Sequence, residues 1–354
     1  MSENILARIL LFPVSLLYGA TIALRNLLYH YGILKSVRFN LPVISLGNLT
    51  VGGTGKTPHT AYLLRYLSSY IKVATMSRGY GRKTSGFKVV QTRHQADEVG
   101  DEPLLLKFKF PEVMISVSED RATGIPKLMG HASGTQAIVL DDAFQHRSVD
   151  PYINILLSCY DTPYTKDWMV PTGRLREFPS SHKRADAIIV TKCPDSVSME
   201  DRNRVVEELK VGTRPVWFTK YVYVKPYFLF NSQYRLEFTQ DTEVILLSGI
   251  AGTDYLLTYL ADQVKAVHNY AFRDHHDFSE RDIGQLELMY NEMTAEKKTI
   301  VCTEKDAVRL IKHKDYLIEK KIPIFVLPVD IAFLFDEEEK FKQYITNRLL
   351  EFKS

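Results

Sequence analysis

The run Gly52-Gly53-Thr54-Gly55-Lys56-Thr57 follows closely on the apolar stretch Val43-Ile44-Ser45-Leu46. Few features limit a fold as strongly. A short β-branched run, a glycine-rich turn and a Lys-Thr pair opening a helical pattern form a phosphate-binding loop, or P-loop, of an α/β protein. Glycines leave backbone N–H groups free to converge on phosphate oxygens, and the helix N-terminus adds about half a positive charge. Lys56 is then placed for the β- and γ-phosphates, and the Thr57 hydroxyl for magnesium. Thr50, Val51, Gly52, Gly53, Thr54 and Gly55 make up the rest of the cradle. One position departs from the usual spacing: Thr50 stands where the first glycine of such a loop is expected.

The remaining pattern predicts a parallel sheet covered on both faces. Apolar runs without alternation occur at Pro42–Leu46, Val73–Met76, Val113–Val117, Ala137–Leu140, Ile153–Leu157, Ala187–Val190 and Val216–Thr219. Helical stretches separate them at Lys56–Ser69, Glu102–Phe108, Asp120–Met129 and Ser198–Leu209. A second series has strands at Val244–Leu247, Val264–Tyr270, Thr299–Cys302 and Ile324–Leu327, with helices near Asp254–Gln263, Ser279–Glu292, Lys305–Lys312 and Asp336–Lys353. Tyr221–Thr239 reads as extended structure between the two series. The expected organisation is therefore an N-terminal helix over 1–36, a P-loop core over 37–220, a linker over 221–240 and a smaller α/β domain over 241–354. Ile138-Val139-Leu140-Asp141-Asp142 is a strand ending in carboxylates. Beside a P-loop this suits a magnesium site, with Asp141 as the first choice and Asp142 as neighbour or alternate ligand.

Composition removes several classes. With 45% hydrophobic and 25% charged residues the chain is an ordinary globular protein, not a disordered one. Its net charge of +3 is confined to the first 40 residues, where Arg8, Arg25, Lys35 and Arg38 face only Glu3. The neutral remainder argues against a nucleic-acid partner. Cys159, Cys193 and Cys302 are odd in number and far apart, so neither a disulfide framework nor a zinc ribbon is expected.

The N-terminal segment raises a membrane question. Residues 9–24 hold 12 apolar residues in 16, and a helix of that length spans roughly 24 Å, short of the roughly 30 Å of hydrocarbon. Asn4, Arg8, Ser15, Gly19, Asn26 and His30 recur at spacings of 4 and 7, which collects them on one narrow helical stripe. The other faces are apolar. Pro13 should kink this helix or open it at its first position. With basic flanks, such a helix suits the bilayer interface, while packing on the protein's own core is the alternative.

Several further runs occur in order: Gly47-Asn48 through Thr57-Pro58, Ser77-Arg78-Gly79-Tyr80-Gly81-Arg82, Gly100-Asp101-Glu102-Pro103 and Asp141-Asp142-Ala143-Phe144-Gln145-His146. Leu175-Arg176-Glu177, Thr191-Lys192-Cys193-Pro194, Leu247-Ser248-Gly249-Ile250-Ala251, Asp274-His275-His276 and Thr303-Glu304-Lys305-Asp306 follow. Together they resemble the tetraacyldisaccharide 4′-kinase family, which phosphorylates a membrane-embedded acylated glucosamine disaccharide in lipid A biosynthesis. The resemblance implies ATP and Mg²⁺, a disaccharide 1-phosphate acceptor, and a peripheral position on the cytoplasmic face of the bacterial inner membrane. It implies Asp101 as the base that takes the acceptor proton, His275 as its support from the second domain, and Arg176 at the transferring phosphate. Arg78 and Arg121, like Arg176, are candidates for substrate phosphate or transition-state charge because a fork of donors matches phosphoryl oxygens, with a surface or helix-pairing role as the alternative for each. Asn48, Tyr80, Gln145, His146 and Glu177 are further substrate candidates. Ala143 and Phe178 depart from the family, which usually has glycine and proline there.

Other readings stay in view. A membrane-bound P-loop switch hydrolysing nucleotide without an acceptor would explain the loop and the helix but not His275. Thr303-Glu304-Lys305-Asp306 has the form of a helix cap. Thr191-Lys192-Cys193-Pro194 reads as a nucleotide-side loop. Asp274-His275-His276-Asp277 does not have metal-ligand spacing. Nothing in the sequence indicates an oligomeric state.

Overall fold

A computed structural model describes residues 5–353, so Asn4 of the polar stripe lies outside the described residues. In chain order the first lobe contains α1 (Ile5–His30), β1 (Val43–Asn48), α2 (Lys56–Ser68), β2 (Val73–Ser77), β3 (Lys88–Val89), α3 (Ala96–Val99), α4 (Asp101–Lys109), β4 (Met114–Val117), α5 (Arg121–His131), β5 (Ala137–Asp141), β6 (Ile153–Cys159), β7 (Ala187–Thr191), α6 (Met199–Leu209) and β8 (Val216–Tyr223). The second lobe contains β9 (Tyr227–Phe228), β10 (Asn231–Arg235), β11 (Thr242–Ser248), α7 (Asp254–Gln263), β12 (Ala266–Ala271), α8 (Glu280–Glu292), β13 (Lys297–Thr303), α9 (Glu304–Leu310), α10 (Lys314–Glu319) and β14 (Ile324–Leu327). The chain then closes with β15 (Val329–Phe333) and α11 (Glu338–Leu350).

The first sheet has nine strands in the order β15-β8-β7-β6-β1-β5-β2-β4-β3, parallel except at its two edges. Every residue of β1, β2, β5 and β7 is buried, as the unbroken apolar runs predict. Burying each Ile or Leu contributes about 1.5–3 kcal/mol, so these strands dominate the core. The second sheet has the order β10-β9-β14-β13-β11-β12 and is parallel across the three pairings that join β14, β13, β11 and β12.

The partition expected from the sequence differs from this arrangement in two places. Residues 221–240 are not a free linker: β9 and β10 lie inside that stretch and form the antiparallel edge of the second sheet. The last part of the expected 241–354 domain also returns to the first lobe. β15 pairs with β8, and Phe341 and Ile345 of α11 enter the first core. Antiparallel return to an edge strand depends on a distant partner and has no local sequence signature.

α1 runs unbroken through Pro13 for 26 residues, longer than the apolar window. The length argument against a spanning helix therefore does not hold, since the helix is long and apolar enough to cross a membrane by length and composition. Its packing carries the argument instead. Ser15 Oγ lies 2.6 Å from Thr172 Oγ1, Tyr18 donates to the Arg176 carbonyl at 3.1 Å, and Asn26 donates to Glu177 at 2.8 Å. A Cβ on Gly19 would meet the Phe178 ring at 2.7 Å, so glycine lets the helix settle on the body. The central stripe residues Ser15, Gly19 and Asn26 thus face the protein, while Arg8 and His30 near the helix ends are exposed. Leu10 and Leu17, 74% and 71% exposed, point away with Ile9, Leu16 and Leu24. This is the reverse of a soluble amphipathic helix.

Candidate active site

β1, β5 and β7 all end on one side of the first sheet, where open α/β sheets bind ligands. The loop after β1 turns back at Gly55, whose φ is +85°. A Cβ there would also approach the Tyr221 hydroxyl to 2.9 Å, so glycine is required twice over. His59 holds the turn from below: its Nδ1 donates to the Gly55 carbonyl at 2.7 Å and its Nε2 faces the Thr219 hydroxyl at 2.9 Å. Burial lowers the His59 pKa from its ordinary 6.5 to about 4, which keeps this support neutral.

That shift has a measurable consequence. The folded protein binds fewer protons at His59 than the unfolded chain between about pH 6.5 and about 4, so stability falls as pH drops through that window. In His59→Gln the loss of melting temperature between pH 6.5 and 4.5 is expected to be smaller than in wild type, by roughly a few degrees. Parallel curves for the two proteins would contradict a neutral buried His59.

Lys56 and Thr57 open α2. Lys56 Nζ lies 3.7 Å from Asp142 and 3.4 Å from Asn48 Oδ1. Arg176 grips Asp142 with both nitrogens, at 2.8 and 3.2 Å. Burial alone would raise the Asp142 pKa, but Lys56 and Arg176 hold it well below the carboxylate range. Asp141 differs. It is 1% exposed, and one oxygen accepts from Thr60 at 2.9 Å while Oδ2 has no partner. Burial first, then Glu102 and Asp142, raise its pKa to about 7. An orphaned carboxylate oxygen among like charges, with the Thr57 hydroxyl in the same cavity, fits a divalent cation. The positive φ beside it falls on Asp142, at +48°, and not on Ala143. Alanine in place of the family's glycine therefore costs no backbone strain. Phe178, in place of proline, keeps a φ of −57° that proline also adopts.

The second lobe supplies the other wall. His275 Nδ1 lies 3.0 Å from Asp101 Oδ2, across 174 positions of sequence. Arg309 donates to the same Asp101 oxygen, to Asp306 at 3.1 Å and to the Gly249 carbonyl at 2.7 Å. Lys305 pairs with Glu102, and Lys109 with Glu304 at 2.7 Å. Three ion pairs thus join α4 to α9. Burial opposes ionisation of Asp101, but the His275 hydrogen bond and the Arg309 charge overcome it and hold its pKa well below the usual range. The Asp101 bond raises the pKa of His275. Asp101 is 5% exposed and sits behind His275, which lines the cavity. His276 turns elsewhere, to Asp282 at 2.9 Å. Thr303 caps α9 by accepting from the Asp306 N–H, as the sequence predicts.

A cavity of about 790 Å³ joins these parts. The P-loop, Asp141, Asp142, Arg176 and His275 line it, and Tyr18, Ile22 and Arg25 of α1 close one side. Arg78, Tyr80, Gln145, His146 and Glu177 also border it. Glu177 is taken up structurally, bound by Arg184 at 2.8 and 3.1 Å and by Asn26. Two expected substrate residues lie elsewhere. Asn48 is fully buried and braces the P-loop through Thr54 at 2.7 Å. Arg121 is fully buried behind β5, spending its guanidinium on the carbonyls of Ser118 and Glu119 at 3.0 and 3.2 Å. His59, Arg309 and Lys305 were not expected. The one sequence sign of Arg309 is a charge inside the apolar run Ala307-Val308-Arg309-Leu310.

Fold and loop define a P-loop nucleotide-binding protein whose phosphate site is covered by a second α/β lobe. The model of one family, described as Tetraacyldisaccharide-1-P 4'-kinase, matches residues 7–350. A tetraacyldisaccharide 4'-kinase of Phocaeicola vulgatus is 41% identical over 95% of this chain and 94% of its own length. That of Bacteroides thetaiotaomicron is 39% identical over 96% of this chain and 93% of its own. A crystal structure of LpxK from Aquifex aeolicus in complex with ATP superposes with a TM-score of 0.74 at 29% identity, covering 97% of this chain and 99% of that one. The chain belongs to the tetraacyldisaccharide 4'-kinase family.

Proposed function

We propose that this protein transfers the γ-phosphate of ATP to the 4′-hydroxyl of a tetraacyldisaccharide 1-phosphate in lipid A biosynthesis, while seated on the cytoplasmic face of the bacterial inner membrane. The observation that carries this reading is the single cavity running from the P-loop to the Asp101–His275 pair and to the inner side of α1. An acceptor with acyl chains needs all three. A membrane-bound switch that hydrolyses nucleotide could use the outward apolar face of α1 but has no use for the second lobe's histidine.

The residues divide the work. Lys56 and the loop's backbone N–H groups bind the terminal phosphates. Asp141 and Thr57 hold Mg²⁺, which when bound neutralises charge on the phosphate oxygens. Arg176 fixes Asp142 and lies at the transferring group. The acceptor proton passes to the Asp101–His275 pair. Because His275 faces the cavity with Nδ1 turned to Asp101, its Nε2 is the atom nearer the acceptor, and Asp101 orients the ring and raises its basicity. Docking of α1 on the body through Ser15 to Asn26 favours an interfacial helix over a spanning one, since spanning would strip those bonds from the body. Arg8, Lys35 and Arg38 flank it for anionic headgroups.

Incubation with γ-labelled ATP and the disaccharide 1-phosphate tests the reading. Label should appear in a lipid bisphosphate; label only in inorganic phosphate would overturn it. Leu10→Glu/Leu17→Glu alters two exposed positions. It should remain folded and active on detergent-dispersed acceptor, yet lose about tenfold or more in binding to anionic vesicles. Unchanged vesicle binding would exclude α1 as the attachment surface.

A further inference from the structure

β7 ends at Thr191, whose hydroxyl donates to the Thr54 carbonyl at 3.0 Å and so ties the strand's exit to the P-loop. The next residue, Lys192, has a φ of +58°. A non-glycine residue adopts that conformation at a cost in backbone strain, usually where its side chain is needed in one place. Here the side chain lines the main cavity. Its ammonium lies 5.6 Å over the ring of Tyr221, from β8, and 5.3 Å over that of Tyr255, from α7 of the other lobe. It also lies 3.8 Å from where a Cβ on Gly53 would stand.

The surroundings hold one carboxylate that acts on Lys192, that of Asp161, and it does not pair with the ammonium directly. Among the described residues no carboxylate forms an ion pair with Lys192. Asp161 is nearby but accepts the Tyr255 hydroxyl. Ring faces attract an ammonium, yet they replace lost water only in part. An anionic ligand in the cavity would complete the site. Strand order says which part of that ligand is in reach. In β7-β6-β1-β5 the P-loop strand separates Lys192 from Asp141 and Asp142. Lys56, Thr57 and Asp141 gather where the terminal phosphates go. Lys192 stands on the opposite flank, where the sugar and inner phosphate remain.

We propose that Lys192 is a second cationic ligand of the nucleotide, holding the ribose and the phosphate next to it from the β7 side of the loop, with Tyr255 of the second lobe fixing its ammonium there. The proposal rests on the ATP reading above and adds a residue and a polarity to it. ADP contains the parts that Lys192 would hold, and inorganic pyrophosphate does not.

The test is calorimetric titration of full-length wild type, Lys192→Met and Lys192→Arg with each of these two probes. Lys192→Met should weaken ADP binding about tenfold and leave pyrophosphate affinity within about twofold, while Lys192→Arg recovers part of the loss. The KM for ATP should rise by the same factor as the ADP dissociation constant. Equal ADP affinity in a Lys192→Met protein that melts like wild type would overturn the proposal and leave the ATP reading intact. Equal loss of both probes would also overturn it, by showing general damage to the loop. Wild type binding neither probe would remove the ATP reading and this proposal together.

Discussion

Asp101→Asn lowers the turnover of phosphate transfer by about 10³-fold, the range expected for loss of general-base assistance, and leaves ADP affinity near wild type. The asparagine keeps the shape of the side chain but removes the charge that orients His275 through Nδ1 at 3.0 Å. ADP binding is spared because Asp101 lies behind His275 and does not line the cavity. The fold should survive, since Arg309 retains Asp306 and the Gly249 carbonyl. His275→Ala should cost a similar factor. The double variant should cost little more than either single one, because two residues acting on one proton are not additive. Multiplicative losses would mean separate roles, and near-normal turnover in Asp101→Asn would remove it from the chemistry.

Asp141→Asn abolishes the magnesium dependence of nucleotide binding and lowers turnover by about 10³-fold or more, several kcal/mol being typical of a bound cation's share in stabilising transferring charge. Stability should move the other way. Burial, Glu102 and Asp142 raise the Asp141 pKa from 3.8 to about 7. The folded state therefore holds this proton more tightly than the unfolded chain, and stability is lost as pH rises from about 4 through about 7. The amide removes that cost and keeps an oxygen for Thr60, whose bond to Asp141 is 2.9 Å. In metal-free buffer at pH 8 the variant should melt above wild type, with the gap closing toward pH 4. Magnesium should raise the melting temperature of wild type with ADP and not that of the variant. An unaltered magnesium response in Asp141→Asn would place the cation elsewhere.

The two expectations concern opposite uses of a buried carboxylate. Asp101 is surrounded by His275 and Arg309 and stays charged at all ordinary pH. Asp141 is left short of cationic partners beside other carboxylates. Neither environment can be read from the residue or its neighbours in the chain, since Arg309 lies 208 positions from Asp101 and His275 lies 174. The resemblance to a family named the pair with Asp101 as base and His275 as its support, but not the third member Arg309, nor that His275 and not Asp101 lines the cavity.

What was legible in the chain alone was local. Glycines at positions 52, 53 and 55 beside a β-branched run admit few backbone paths, so the P-loop and its helix were determined by short-range sterics and hydrogen bonding. The apolar runs that became β1, β5 and β7 were legible for a similar reason: a strand buried on both faces cannot alternate. The stripe on α1 was visible as a spacing. Only tertiary packing decided that the middle of this stripe turns inward and leaves the leucines outside, because the choice depends on Thr172, Glu177 and Phe178, far along the chain. The same holds for β15, whose partner is an edge strand more than 100 residues earlier, and for His59, Lys192 and Arg309. Their neighbours in space come from other strands and from the other lobe, and no periodicity within a segment records which distant surface it will meet.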